Sequence, residues 1–180
     1  MKVSVVGAGA LGTFYATMLS SSGQDVTLVC REKDVEALRR GTHVEGLLGA
    51  DARPAVATSP SPSDLFIITV KAYDIEAAVR DIKIKPGTLV DDTLVVVIHN
   101  GLGGDAAAAG VLGEGHVAVG IAYGGATFLE PGRVRLAGYT ETVLGSAEPA
   151  VREKLPLARD ALEGAGLKAR IVDDVRAAQW

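Results

Sequence analysis

Three glycines and a few polar side chains carry the chemistry open to this sequence. Gly7, Gly9 and Gly12 stand at the spacing G-x-G-x-x-G, with Ala8, Ala10 and Leu11 between them. An apolar run of strand type, Lys2–Val6, comes before, and an apolar segment of helical character, 11–19, follows at once. In that setting each glycine has a physical reason. Gly7 allows a tight turn, Gly9 lets the backbone approach a pyrophosphate, and Gly12 lets the helix pack on the strand. The free N–H groups at the helix start, with the positive end of its dipole, would hold phosphate. The glycine loop thus reads as a dinucleotide-binding site.

The polar candidates sit where strands should end. The run 25–31 reads as a second strand closing in Cys30-Arg31, about 20 residues beyond the last glycine. At that place an acidic residue accepts from the ribose 2′-OH and favours NAD, whereas an arginine accommodates the 2′-phosphate of NADP. Arg31 favours NADP, its planar guanidinium suiting a phosphate. Glu32, one residue on, is the counter-candidate. Lys71 follows the apolar run 65–70, and Asn100 follows 94–98. Ligands in open α/β sheets bind beyond the carboxyl ends of strands, so both should face the cofactor crevice. Lys71 could bond a ribose hydroxyl or a phosphate, or be a surface lysine. Asn100 could bond the nicotinamide end or the substrate, or be an Asn-Gly turn residue. His99 is a conceivable acid, or a locally bonded strand-end histidine.

The elements that would position these groups alternate along the chain. Helices are expected over 11–19, 34–40, from Asp74 onward, over 105–112 with Asp105 as N-cap, and over 147–163. Strands are expected at Lys2–Val6, 25–31, 65–70, 94–98 and 117–121, with one or two short strands or a hairpin within 42–58. After residue 121 the pattern changes. Residues 133–136 and 142–145 read as a short antiparallel pair around a glycine turn, and 167–172 as a last strand. The fold class is therefore α/β: a Rossmann-type, doubly wound, mainly parallel sheet with a short antiparallel pair towards its C-terminal part.

Bulk properties exclude several classes. The 180 residues suffice for one buried core, and a net charge of −4 gives no basic footprint for nucleic acid. No apolar run reaches membrane-spanning length. Cys30 is the single cysteine, so no internal disulfide can form, which points to a reducing, cytoplasmic setting. His43, His99 and His116 with Cys30 show no metal-ligand spacing, and neither a G-x-S-x-G elbow nor a Walker loop is present.

Taken together, the glycine loop, Arg31, Val70-Lys71-Ala72-Tyr73, His99-Asn100-Gly101-Leu102-Gly103 and the run from Gly120 to Gly145 resemble ketopantoate reductase, the 2-dehydropantoate 2-reductase family. The resemblance covers nearly the whole chain. It implies NADPH-dependent reduction of 2-dehydropantoate to (R)-pantoate, on the route to coenzyme A. It implies that Gly7, Ala8, Gly9, Ala10, Leu11, Gly12, Arg31, Lys71, Asn100 and Ala126 contact NADP(H). Ala126 comes only from the match of Gly125-Ala126-Thr127 to the family segment.

The resemblance also divides the chain into an NADP-binding domain, 1–172, and the start of a linking helix, 173–180, leading to an all-helical substrate and dimerisation domain. The family's catalytic lysine belongs to a W-x-K motif whose tryptophan matches Trp180. No catalytic residue is therefore expected within these 180 residues, and turnover by them alone is not expected. Hydride transfer to a ketone needs a proton donor or positive charge beside the developing alkoxide. Two alternatives stay open: a non-catalytic NADP-binding regulatory module, and a reductase for a different 2-keto acid. The expected partners are a small 2-keto acid and, through apolar surface left exposed near Trp180, a second copy of the chain in a homo-oligomer. Nucleic acid and membrane are not expected partners.

Overall fold

Four apolar runs become neighbouring parallel strands covered on both faces. The structure is a computed structural model and describes residues 1–98, 103–175 and 177. The chain forms β1 (Lys2–Val6), α1 (Ala10–Ser21), β2 (Asp25–Val29), α2 (Val35–Arg39), β3 (Thr42–Gly46), β4 (Ala50–Ala52) and β5 (Ala55–Ala57). It continues with β6 (Leu65–Ile68), α3 (Ile75–Ile84), β7 (Leu94–Ile98), α4 (Gly104–Leu112), β8 (Val117–Glu130) and β9 (Arg133–Gly145). Last come α5 (Pro149–Arg152), α6 (Leu155–Gly164) and β10 (Ala169–Ile171). One sheet runs β4-β3-β9-β8-β7-β6-β1-β2-β5, with β10 added beside β9. Its pairs are parallel except β8 with β9 and β3 with β4. The Rossmann-type α/β class expected from the sequence is the one observed.

Side-chain alternation along the central strands builds two cores. Val3, Val5, Leu65, Ile67, Leu94, Val96 and Ile98 join one cluster with α1 and α6. Val6, Phe66, Ile68, Val95 and Val97 join the other with α3 and α4. β6 and β7 are buried on both faces and apolar at every position, so their runs show no alternation, whereas β1 also buries Ser4, whose hydroxyl pairs with that of Ser63 at 2.8 Å. Each helix docks by the spacing of its apolar residues. In α3, Ile75, Val79 and Ile82 are buried; in α6, Leu155, Ala158, Ala161 and Leu162 are buried. Helix α1 is different, since every residue from Gly12 to Leu19 is buried. Its hydroxyls are satisfied inside the protein. Thr17 Oγ1 donates to the Thr13 carbonyl at 2.6 Å, and Tyr15 Oη shares a proton with Thr142 Oγ1 at 2.7 Å. Burial pushes the Tyr15 phenol far above its ordinary value, so it stays protonated.

Several sequence expectations are corrected. The strands expected at 117–121, 133–136 and 142–145 are parts of one long hairpin, β8 with β9. Its turn is Pro131-Gly132, and Gly138, expected in a turn, lies inside the ladder opposite Gly125. The strands approach closely there, for a Cβ on Gly124 would lie 2.5 Å from the Gly138 carbonyl oxygen. Register shifts at Tyr123/Gly124 and Gly125/Ala126 take up the irregularity. The helix expected over 147–163 breaks into α5 and α6, because Pro156 has no N–H to continue the ladder. Asp105 is not the N-cap of α4. Gly103, in a left-handed conformation at φ 92°, holds that place. Strands β2 and β6 stop at Val29 and Ile68, short of residues 31 and 70.

Candidate functional site

The glycine loop is held in place by its neighbours before any ligand arrives. Strand β1 lies between β6 and β2, with Val6 opposite Ile68 on one side and Val29 on the other. The three strands therefore finish level. The ladder reaches one residue into the loop, where Gly7 N–H donates to the Val29 carbonyl at 2.9 Å. Gly7 then turns at φ 107°, a conformation that side-chain-bearing residues rarely adopt. A Cβ on Gly12 would stand 1.7 Å from the Gly7 carbonyl oxygen, so helix and turn touch backbone to backbone. Around Gly9, by contrast, no described atom lies within 4 Å of a built Cβ. Gly12 is required by the fold, while Gly9 leaves an open approach to the backbone.

That approach leads to the start of α1. Gly9 is its N-cap, no side chain caps it, and no acidic residue lies in its first turn. The first N–H groups of a helix have no partner within it. An anion placed over Gly9 would supply one and meet the positive end of the dipole. The spacing and chemistry of the loop therefore fit a dinucleotide pyrophosphate. Ala8, Ala10 and Leu11 pack partly buried against the main core and fix the walls of the loop.

Thr69 is a site residue that the sequence reading missed. Its backbone N–H donates to the Val6 carbonyl at 2.9 Å. Its hydroxyl lies 3.1 Å from the Val6 carbonyl oxygen and 3.0 Å from that of Gly7. One hydroxyl thus ties the end of β6 to the turn of the glycine loop. The available signal was a single hydroxyl closing the run Leu65-Phe66-Ile67-Ile68-Thr69.

Arg31 and Lys71 stand on either side of the loop. Arg31 follows β2, and Lys71 follows β6, each in extended conformation ahead of a 3-10 turn. Both are exposed. Arg31 Nη2 donates to Asp74 Oδ2 at 3.1 Å, joining the two strand ends above the loop. Lys71 Nζ lies 6.0 Å from the centre of the Tyr73 ring, at the outer limit of a cation–π contact. Ala126 lies further along the same edge. Gly120 of β8 pairs with Ile98, the last residue of β7, so the chain beyond Gly120 projects past the carboxyl end of the sheet. Ala126 sits on that projection, half-buried against the main core. His99, Asn100 and Trp180 lie outside the described residues.

Other reactive groups are committed elsewhere. His43 Nδ1 meets Asp51 Oδ1 at 2.7 Å, and His116 Nδ1 donates to the Thr93 carbonyl at 3.1 Å. Cys30 is buried, and its burial pushes the thiol above its ordinary value, with the charges of Asp34 and Glu32 adding to the effect. Among the described residues no group of His, Cys, Asp and Glu could hold a metal ion. No helix among them is long and apolar enough to cross a membrane.

The chain has known relatives. Residues 3–149 match the family model described as ketopantoate reductase PanE/ApbA. The chain belongs to this family. It is 31% identical over 179 residues to 2-dehydropantoate 2-reductase of Archaeoglobus fulgidus, covering 99% of this chain and 58% of that protein. The crystal structure of 2-dehydropantoate 2-reductase from Geobacter metallireducens superposes with a TM-score of 0.89 at 26% identity, over 100% of this chain and 60% of that one. A D-mandelate dehydrogenase solved with NADH and anilino(oxo)acetate has a TM-score of 0.88 at 23% identity, over 99% of this chain and 59% of that one, and shares the fold. The chain thus spans about three fifths of the length of the relatives it matches.

Proposed function

We propose that residues 1–172 are the NADPH-binding domain of a cytoplasmic 2-dehydropantoate 2-reductase, and that 173–180 begin the link to a helical substrate and dimerisation domain. One observation carries the cofactor assignment. The open cradle at Gly9 lies between two strand-end cations, Arg31 and Lys71, on the strands that flank β1. When bound, NADPH supplies the hydride. Residues 7–12 hold its pyrophosphate, Arg31 its 2′-phosphate, and Lys71 a ribose hydroxyl or phosphate. Ala126 contacts the cofactor, and Asn100 meets its nicotinamide end or the substrate. No residue among 1–172 is assigned to donate the proton for the new alkoxide.

A second reading keeps a nicotinamide cofactor and changes the 2-keto acid. It is favoured by the D-mandelate dehydrogenase of the same fold, which was solved with NADH and anilino(oxo)acetate. Calorimetric titration of the chain with NADPH and NADH tests the cofactor assignment. Tighter binding of NADPH is expected, and equal affinity would contradict it. Steady-state assay of the full-length enzyme with 2-dehydropantoate against an aryl 2-keto acid separates the two substrates.

A further inference from the structure

Two segments flanking the glycine loop are built alike. Arg31-Glu32-Lys33-Asp34-Val35 and Lys71-Ala72-Tyr73-Asp74-Ile75 each set a cation, two variable residues, an aspartate and a buried aliphatic in the same order. Arg31 has φ −74° and ψ 149°, and Lys71 has φ −67° and ψ 154°. Asp34 N–H donates to the Arg31 carbonyl at 2.9 Å, and Asp74 N–H donates to the Lys71 carbonyl at 2.8 Å. The aspartates agree as well, with φ −100° and ψ −11° for Asp34 and φ −98° and ψ −8° for Asp74. Since β2 and β6 are the two parallel neighbours of β1, matching turns stand on both sides of the loop.

The two turns are nonetheless used differently. Asp74 reaches across to the guanidinium of Arg31, 43 residues away in sequence. In this fold an acidic side chain near the end of the second strand accepts from the ribose 2′-OH of NAD. Here that place belongs to Arg31, and the carboxylate arrives at the same spot from the turn after β6. The adjacent Glu32, the carboxylate singled out in the sequence, does not form this pair.

We propose that Asp74 sets the balance between the two nicotinamide cofactors, a role that rests on the dinucleotide reading of the glycine loop. Its carboxylate occupies the donor face that Arg31 would turn to a 2′-phosphate, and its negative charge opposes that phosphate. With NADH the same carboxylate accepts from the 2′-OH. Asp74 therefore weakens NADPH binding, supports NADH binding, and narrows the preference that Arg31 alone would give. The Arg31–Asp74 pair is exposed, with side chains 71% and 36% accessible, so exchanging partners costs the protein little.

The test measures dissociation constants for NADPH and NADH in the wild-type chain, Asp74→Asn and Asp74→Ser. Asp34→Asn is the control, because it places the same change in the matching turn. The ratio of the NADH to the NADPH constant should rise about tenfold in both Asp74 variants and stay unchanged in the control. An unchanged or falling ratio in a folded Asp74 variant, read by its melting temperature, would overturn the proposal while leaving the glycine-loop reading intact. A wild-type chain that binds neither cofactor would overturn both.

Discussion

Gly9 and Gly12 belong to one triplet and answer to different constraints. A methyl at Gly12 meets the Gly7 carbonyl and Thr69 Oγ1, at 1.7 and 2.5 Å, and the backbone partner cannot step aside. Gly12→Ala should lower unfolding free energy by about 3 kcal/mol, the upper end of ordinary overpacking, as read by urea denaturation. A methyl at Gly9 meets no described atom. Gly9→Ala should keep the wild-type stability within about 1 kcal/mol and lose dinucleotide affinity, because Gly9 has a helix-cap conformation that alanine can adopt. Equal destabilisation by the two variants would contradict this division. The triplet was legible from spacing alone, because a glycine required by backbone approach leaves its mark in the chain itself. Thr69 and Asp74 left no such mark. Their partners, Gly7 and Arg31, are 62 and 43 residues away, and only the pairing of strands brings them together.

At the scale of elements, β6 and β7 were readable because burial on both faces removes alternation from their runs. The long hairpin was not. Gly138 looked like a turn signal, and only the register of β8 with β9 shows it inside the ladder, with its carbonyl in close approach to Gly124. Helix α1 was read as a helix, but its enclosure was not evident, since strands distant in sequence bury it on nearly every side. Its tie to β9 is specific. The Tyr15 hydroxyl meets Thr142 Oγ1, which also meets the Tyr139 hydroxyl at 2.9 Å, and Tyr139 donates to the Lys168 carbonyl at 2.9 Å. Tyr15→Phe removes one member of this buried network. It should cost about 1 kcal/mol in denaturant unfolding, with Thr142 still satisfied through Tyr139. A loss near zero would show that the chain of hydroxyls does not anchor the helix.

For the molecule as a whole, the outer strands carry ion pairs that couple stability to acid. Arg170 donates to both carboxylate oxygens of Glu141, at 3.0 and 3.2 Å, and holds that carboxyl below its ordinary value. Arg135 donates to Glu45 Oε1 alone, at 2.7 Å across β3 and β9, and also holds that carboxyl below its ordinary value. A carboxylate depressed in the folded state adds stability that is complete above its unfolded value, about 4.3 for glutamate, and lost as pH falls through its folded value. Stability should therefore decline below about pH 4.3. Glu141→Gln should decline less steeply in urea titrations between about pH 2.5 and 6. Identical slopes would remove Glu141 from the account. The family and its α/β class emerged from the sequence because the recurring segments lie at strand ends.

We propose that the glycine loop and Arg31 together select a phosphorylated dinucleotide. Titration of wild-type and Arg31→Ala chains with NADPH and NADH addresses it most directly. Removing the guanidinium should weaken NADPH binding by about tenfold or more, the worth of a charge-assisted pair, and leave NADH binding within about twofold. Equal loss for both cofactors, or no loss for NADPH, would contradict the account.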